Sequence, residues 1–370
     1  MENQIQPTPG ATSPVDHSLE PSTIAPQAGN KNIIFGIIGI IALLTLGYFS
    51  YNILVQKQTA VVSNSDLYKG KITIGYTLWP GYLGLYLARD KGYFIEAGLD
   101  VDLKLYPGLI EPSKAYVDGE IQGKANLTLD AADEAYRGLD HKVIIAVDHS
   151  NGSDGIIAGP LIKTIREIKG KKVAFEKGTL EEFFLSYALE QNGMTFKDIV
   201  PIDLDSEKAA IALTKNQVDV AVTYEPFMTS SLKKVSGNKI YSSADAPGLI
   251  SDILTFRTDF IDKNPQTINT IVGAYFKAIN FWKSNPAEAN VLIGKELGVS
   301  GDEASNQLQG VDVLSEQDNL TAFTFAAGFE SLYGNMRRIG DFIKLQRYPN
   351  ATKVDTDKLI DDSFIRKLVN

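Results

Sequence analysis

The stretch Lys71–Tyr106, KITIGYTLWPGYLGLYLARDKGYFIEAGLDVDLKLY, decides how the chain is read. Ile72-Thr73-Ile74-Gly75-Tyr76 alternates in the manner of a strand with one buried face. Trp79-Pro80-Gly81-Tyr82 then breaks the alternation with a turn signal. Leu83, Leu85, Leu87 and Ala88 suggest a helix that stops near Gly92, and Leu99 to Tyr106 alternates again. The unit spans about 35 residues, the size of two parallel strands joined by a crossover helix. The loop carrying Trp79 and Tyr82 follows the first strand, where open α/β sheets bind ligands.

Outward from this unit the chain alternates strands and helices twice. Ser113 is expected to cap a short helix, and Asp130 to cap one over Ala131 to Tyr136. A second series starts after Gly159-Pro160, where Thr179-Leu180-Glu181-Glu182 forms a capping box. Val218 to Thr223 predicts a strand leading into Tyr224-Glu225-Pro226, and Ile250 to Arg257 returns as an extended segment. Beyond it the pattern is helical, with Asn264-Pro265 and Asn285-Pro286 as helix starts. Further helices are expected over Gly301 to Leu308, Asn319 to Tyr333 and Thr356 to Lys367. This order predicts an α/β fold of two Rossmann-like lobes, a ligand cleft and two hinge crossings. The expected divisions are 71–158 and 250–370 for the first lobe and 159–249 for the second, after a 56–70 linker.

Residues 1–30 are rich in Pro, Ser, Thr, Gln and Ala and are expected to be disordered. Ile33 to Val55 runs 23 residues without a charge, enough for one transmembrane helix within an anchor segment at 31–55. A cleaved signal peptide and a soluble core helix are the rival readings, but the preceding region is long and acidic. Lysines flank both sides, so the charge pattern leaves orientation nearly undetermined. With 370 residues, a net charge of −9 and no cysteine, the composition excludes disulfides, thiolate metal sites and cysteine nucleophiles, and argues against nucleic-acid binding. His17, His141 and His149 are too few for a histidine-rich metal site. No P-loop, G-x-S-x-G or dinucleotide fingerprint stands in the required strand–helix setting.

Tyr82-x4-Leu87-Ala88-x3-Gly92-Tyr93-Phe94-x3-Gly98-Leu99-Asp100-Val101 resembles the opening signature of the nitrate/sulfonate/taurine class of ABC-transporter substrate-binding proteins. The resemblance continues through Asp148-x-Ser150-x-Gly152-x-Asp154-Gly155, Gly178-Thr179 and Tyr224-Glu225-Pro226. Pro247-Gly248-x2-Ser251-Asp252 and Asn285-Pro286-x-Glu288-Ala289 extend it, so that it covers Lys71 to Tyr333. It implies a type II periplasmic-binding-protein fold without catalysis and without a cofactor. It also implies an extracytoplasmic domain that captures a small polar organic solute and delivers it to an ABC permease and its ATPase. Such proteins usually carry a cleaved signal or a lipidated cysteine. An apolar anchor here would instead tether the domain near its membrane partner. A membrane-tethered ligand sensor is a second reading. A third is an enzyme resembling the pyrimidine-synthesising proteins of thiamine metabolism, which use a cysteine-rich motif that this chain lacks.

Given that fold, the loops at the strand ends supply the expected ligand contacts. Trp79 and Tyr82 are the aromatic candidates, although Trp79 could simply pack on its own helix start. Asp130 could serve as cap and ligand contact together. Asp148, Ser150 and Asp154 lie in a loop that needs turn residues in any case. Thr179 opens a helix whose backbone N–H groups favour an anionic or acceptor-rich ligand group. Tyr224 and Glu225 could close over the ligand, and Asp252 could hydrogen-bond across the hinge. These loops carry many acids and few bases, and an unpaired buried carboxylate is costly. The ligand is therefore expected to carry a cationic or donor-rich part.

Overall fold

A computed structural model describes residues 66–369. The expected transmembrane segment, Ile33 to Val55, and the tail before it lie outside the described residues. Among the described residues, 66–369, no helix is long and apolar enough to cross a membrane.

The opening unit forms as its pattern predicts. β1 (Lys71–Thr77) and β2 (Asp100–Tyr106) pair in parallel, from Lys71 opposite Asp100 to Thr77 opposite Tyr106. Between them the helix Leu83–Asp90 buries Leu83, Leu85, Tyr86, Leu87 and Ala88. Gly92, with φ of +73°, provides the left-handed backbone that ends it. Gly84 is required by packing: a Cβ there would lie 2.3 Å from the Tyr275 ring. Tyr275 belongs to the helix Pro265–Ser284, which buries Ile268, Ile271, Val272, Tyr275 and Ile279 along one face. Each such side chain contributes about 1.5–3 kcal/mol on burial, so this helix pair anchors the first core.

β3 (Gly123–Leu127) and β4 (His141–Ser150) complete the first run of strands. The chain then crosses to a second sheet made of β5 (Asp154–Ala158), β6 (Lys172–Phe175), β7 (Val200–Asp203), β8 (Val220–Tyr224) and β9 (Asn238–Ser242). It crosses back into β10 (Ser251–Arg257) and β11 (Val311–Val313). The first sheet has the order β11-β4-β10-β3-β1-β2 and the second the order β7-β6-β8-β5-β9. β10 runs antiparallel to both β3 and β4, and β5 runs antiparallel to β8. The carboxyl ends of β1, β3 and β4 therefore share an edge with the start of β10. The ends of β6 and β8 likewise share an edge with the start of β5. These edges form the site.

Several local expectations are corrected. The helix assigned to begin at Ser113 runs Ile110–Val117, and Ser113 lies inside it, donating to the Leu109 carbonyl. Pro112 is tolerated there because the first-turn N–H groups have no intrahelical partner. Asp130 is no N-cap, because the helix Thr128–Tyr136 starts two residues earlier. Asn264 and Asn285 precede their helices but do not cap them. Each side-chain amide turns back to a carbonyl of the preceding helix, at Phe260 and Phe281. The helix expected over Asn319 to Tyr333 divides into Glu316–Ala322 and Leu332–Gln346, and Thr356 to Lys367 divides into a 3₁₀ turn, Thr356–Leu359, and the helix Ser363–Val369.

Candidate functional site

A cleft between the two sheets holds about 320 Å³ of space not filled by atoms, the open solvent at its mouth included. Its wall combines Thr77, Trp79, Tyr82, Leu127 and Asp252 from the first sheet's edge with Asp154, Leu180, Glu181 and Tyr224 from the second's, and Leu109 follows β2. Each sits at or just beyond a strand end that the topology brings to the same edge, the usual location of ligands in open α/β sheets.

The aromatic wall is locked from behind. The Tyr86 hydroxyl donates to the Trp79 carbonyl at 2.8 Å and accepts from the Trp79 N–H at 3.3 Å. The Trp79 indole Nε1 donates to Asp148 Oδ2 at 3.1 Å. Its ring meets Tyr224 of the opposite sheet edge-on, with centroids 5.9 Å apart. Tyr82, 2% exposed, donates its hydroxyl to Asp252 Oδ1 at 2.6 Å. Gly81 is needed for this approach, since a Cβ there would fall 2.0 Å from Asp148 Oδ2.

Among the described residues no basic side chain forms an ion pair with the carboxyls behind these rings. Asp148 and Asp252 are register partners on adjacent strands. Burial raises both above the usual carboxylate range, and their mutual proximity lets them ionise only reluctantly together. Burial also pushes Asp154 up to about 7 and raises Glu181 well above its ordinary value, with Glu176 nearby adding repulsion to the latter. One carboxylate oxygen on each of Asp148, Asp154 and Glu181 is buried without a protein hydrogen-bond partner. Glu176, also raised to about 7 by burial, accepts from the Leu109 N–H at 3.3 Å and so links the two sides of the cavity. None of the lining residues is basic.

Of the residues expected from sequence, Trp79, Tyr82, Asp154, Tyr224 and Asp252 line the cavity, and Asp148 stands behind Trp79. The other four do not line it. The Ser150 hydroxyl meets that of Ser243 at 2.7 Å and accepts from the Asp154 N–H, tying the two crossings together. Thr179 caps the helix Leu180–Gln191, accepting from the Glu181 N–H and donating to the Glu176 carbonyl. Asp130 faces Lys124 at 3.8 Å. Glu225 accepts from the Thr229 N–H and hydroxyl, beside a separate polar groove. The sequence reading missed Thr77, Leu109, Leu127, Leu180 and Glu181. Thr77 could have been found as the last residue of β1, and Glu181 was visible only as a first-turn residue of the capped helix. The three leucines carry no chemical signal. Among the described residues no group of three or more His, Asp or Glu side chains is placed to hold a metal ion.

The family described as NMT1/THI5 like matches residues 79–289. A Bacillus subtilis (strain 168) protein, provisionally named an aliphatic sulfonates-binding protein, is 24% identical over 292 residues, covering 76% of this chain and 84% of that one. Among solved structures, the periplasmic aliphatic sulphonate binding protein SsuA from Escherichia coli superposes with a TM-score of 0.65 at 19% identity, covering 78% of this chain and 97% of that one. The periplasmic nitrate-binding protein NrtA from Synechocystis PCC 6803 gives 0.64 at 16% identity, covering 80% and 87%. At these identities the structural likeness concerns the fold.

Proposed function

Because the chain belongs to the NMT1/THI5-like family, we propose that it is a solute-binding protein that captures a small polar organic molecule between its lobes and delivers it to an ABC importer. The observation that carries this reading is the cleft itself, walled from both sheets at their strand ends. Closure of two lobes over a ligand is an established mode of motion, and a cavity shared between them couples occupancy to closure. The names of the similar proteins support the same role, since they refer to binding of sulfonates or nitrate in the periplasm. The partners are accordingly an importer permease with its ATPase, and the folded domain is extracytoplasmic. The uncharged run Ile33 to Val55 supports a tethered rather than freely diffusing protein. A tether raises the effective concentration for docking on the permease.

Native mass spectrometry of the full chain extracted from its own membranes tests the reading. The expected result is a retained small-molecule adduct on a chain whose mass still includes Ile33 to Val55, with a permease subunit recovered after cross-linking. A chain without adduct, unable to bind any solute and recovering no permease, would overturn it.

A further inference from the structure

The cavity's lining chemistry differs from what an anion needs. A sulfonate or nitrate is an acceptor-only group and requires donors or positive charge around it. Here Asp154 is 6% exposed and Glu181 3% exposed, and each holds an oxygen without a protein partner. Two of the wall's donors are already engaged, Trp79 Nε1 by Asp148 and the Tyr82 hydroxyl by Asp252, and the remaining side-chain donors, the hydroxyls of Thr77 and Tyr224, carry no positive charge. A second and independent feature points the same way. Trp79, Tyr82 and Tyr224 offer ring surface to the same space, and aromatic rings attract a cation through their negative faces.

We infer that this site selects a small organic cation bearing N–H donors, with Asp154 and Glu181 accepting from its nitrogen and Trp79, Tyr82 and Tyr224 enclosing its body. Asp148 and Asp252 act as positioning residues, holding the indole and the phenol. An organic cation is favoured over a metal ion because the ring-lined wall provides apolar surface and only two free carboxylates. Anions are disfavoured, since each would meet buried carboxyls and no positive charge in the wall. The inference rests on the solute-binding reading of this same cavity and adds the charge class of its ligand.

The full chain at pH 8 is mixed with equimolar benzylammonium, cadaverine, choline, taurine, benzenesulfonate and nitrate. Compounds retained through rapid gel filtration are identified by mass spectrometry, and each is then titrated by calorimetry, together with Zn²⁺ and Ca²⁺. The expected result is retention of benzylammonium or cadaverine and of neither benzenesulfonate nor nitrate. Retention of choline or taurine without either of those amines would overturn the inference, because choline has no N–H donor and taurine carries a sulfonate. Asp154→Asn and Glu181→Gln should each weaken binding of the retained amine at least tenfold. Circular dichroism of both variants should match the parent. Retention of benzenesulfonate or nitrate, tighter binding of either metal, or unchanged cation affinity in both variants would overturn the inference and leave the solute-binding reading standing. Retention of nothing, whatever its charge, counts against both.

Discussion

Two buried acidic clusters solve the same problem in opposite ways. In the first, Glu134 is 1% exposed and Asp130 8%, and both are served by Lys124, which is fully buried. The Lys124 ammonium bonds Glu134 and the Ser113 hydroxyl and stands 3.8 Å from Asp130. At that separation an ion pair is worth about 4 kcal/mol under an effective dielectric of 20. In the second cluster, Asp148, Asp154, Glu181 and Asp252 are equally buried, yet the described residues supply no ammonium or guanidinium among them. Buried carboxyls in this protein are therefore not in themselves a mark of a binding site. What separates the two groups is whether the fold provides the positive partner or leaves its place to something else.

The largest expected effect comes from removing the partner where it exists. Lys124→Met leaves Glu134 and Asp130 uncompensated and should cost roughly 3–5 kcal/mol in urea unfolding. A loss below about 1 kcal/mol would mean that the two acids do not depend on Lys124. Next is the pH response of the cleft carboxyls. Asp154 binds its proton more tightly folded than unfolded, so the folded state holds more protons between the ordinary carboxylate value and about 7. Stability is then greatest below that window and declines as pH rises through it. The groups that act on the cleft carboxyls, Glu176, Asp205, Glu225, Asp312 and Asp130, are acidic too and reinforce the decline. Differential scanning calorimetry should show Tm falling by roughly a few degrees from pH 5 to pH 8; a rise would reverse the assignment. Cation binding should tighten over the same interval, because it favours the ionised carboxyls.

A smaller effect is expected for Trp79→Phe, which keeps a ring in the wall but removes the donor to Asp148. Its cost should be about 1–3 kcal/mol by chemical denaturation, the penalty for one buried group left unpaired. A neutral outcome would show that Asp148 needs no donor. The smallest effect on the folded state should come from Asp154→Asn. Below the ordinary carboxylate value it should match the parent within about 0.5 kcal/mol, and at pH 8 it should be the more stable of the two, in contrast to Lys124→Met. Equal pH slopes in variant and parent would remove Asp154 from the account.

The opening strand pair was legible because alternation in Ile72, Ile74 and Tyr76 and the stops at Gly92 and Gly98 are local properties. Thr179 was legible as a cap for the same reason. The helix Leu332–Gln346 was hidden by Gly334 and Gly340, which look like breakers. Their lack of a side chain serves packing instead: a Cβ on Gly334 would lie 2.2 Å from the Gly328 carbonyl oxygen. Lys124 reads as an ordinary charged strand residue, and nothing nearby in sequence reveals that Glu134 will meet it. The pairing of Asp148 with Asp252 depends on strand register across more than one hundred intervening residues, and so does the approach of Trp79 to Tyr224. Sequence thus exposed the acids as a class but not which of them would find a partner.

The helix Leu332–Gln346 touches more of the molecule than its place near the chain's end suggests. Asn335 donates to the Gly248 carbonyl at 2.8 Å, on the second crossing, and Arg347, just past its end, pairs with Asp133 at 3.0 Å. Phe342 meets Phe183, on the far side of the cleft, with ring centroids 4.5 Å apart. Spreading the lobes must therefore separate a pair of aromatic rings that no solute contacts. Under the proposed function, release of a solute requires this remote clasp to part, and Phe342→Ala is expected to quicken release without altering what the pocket recognises.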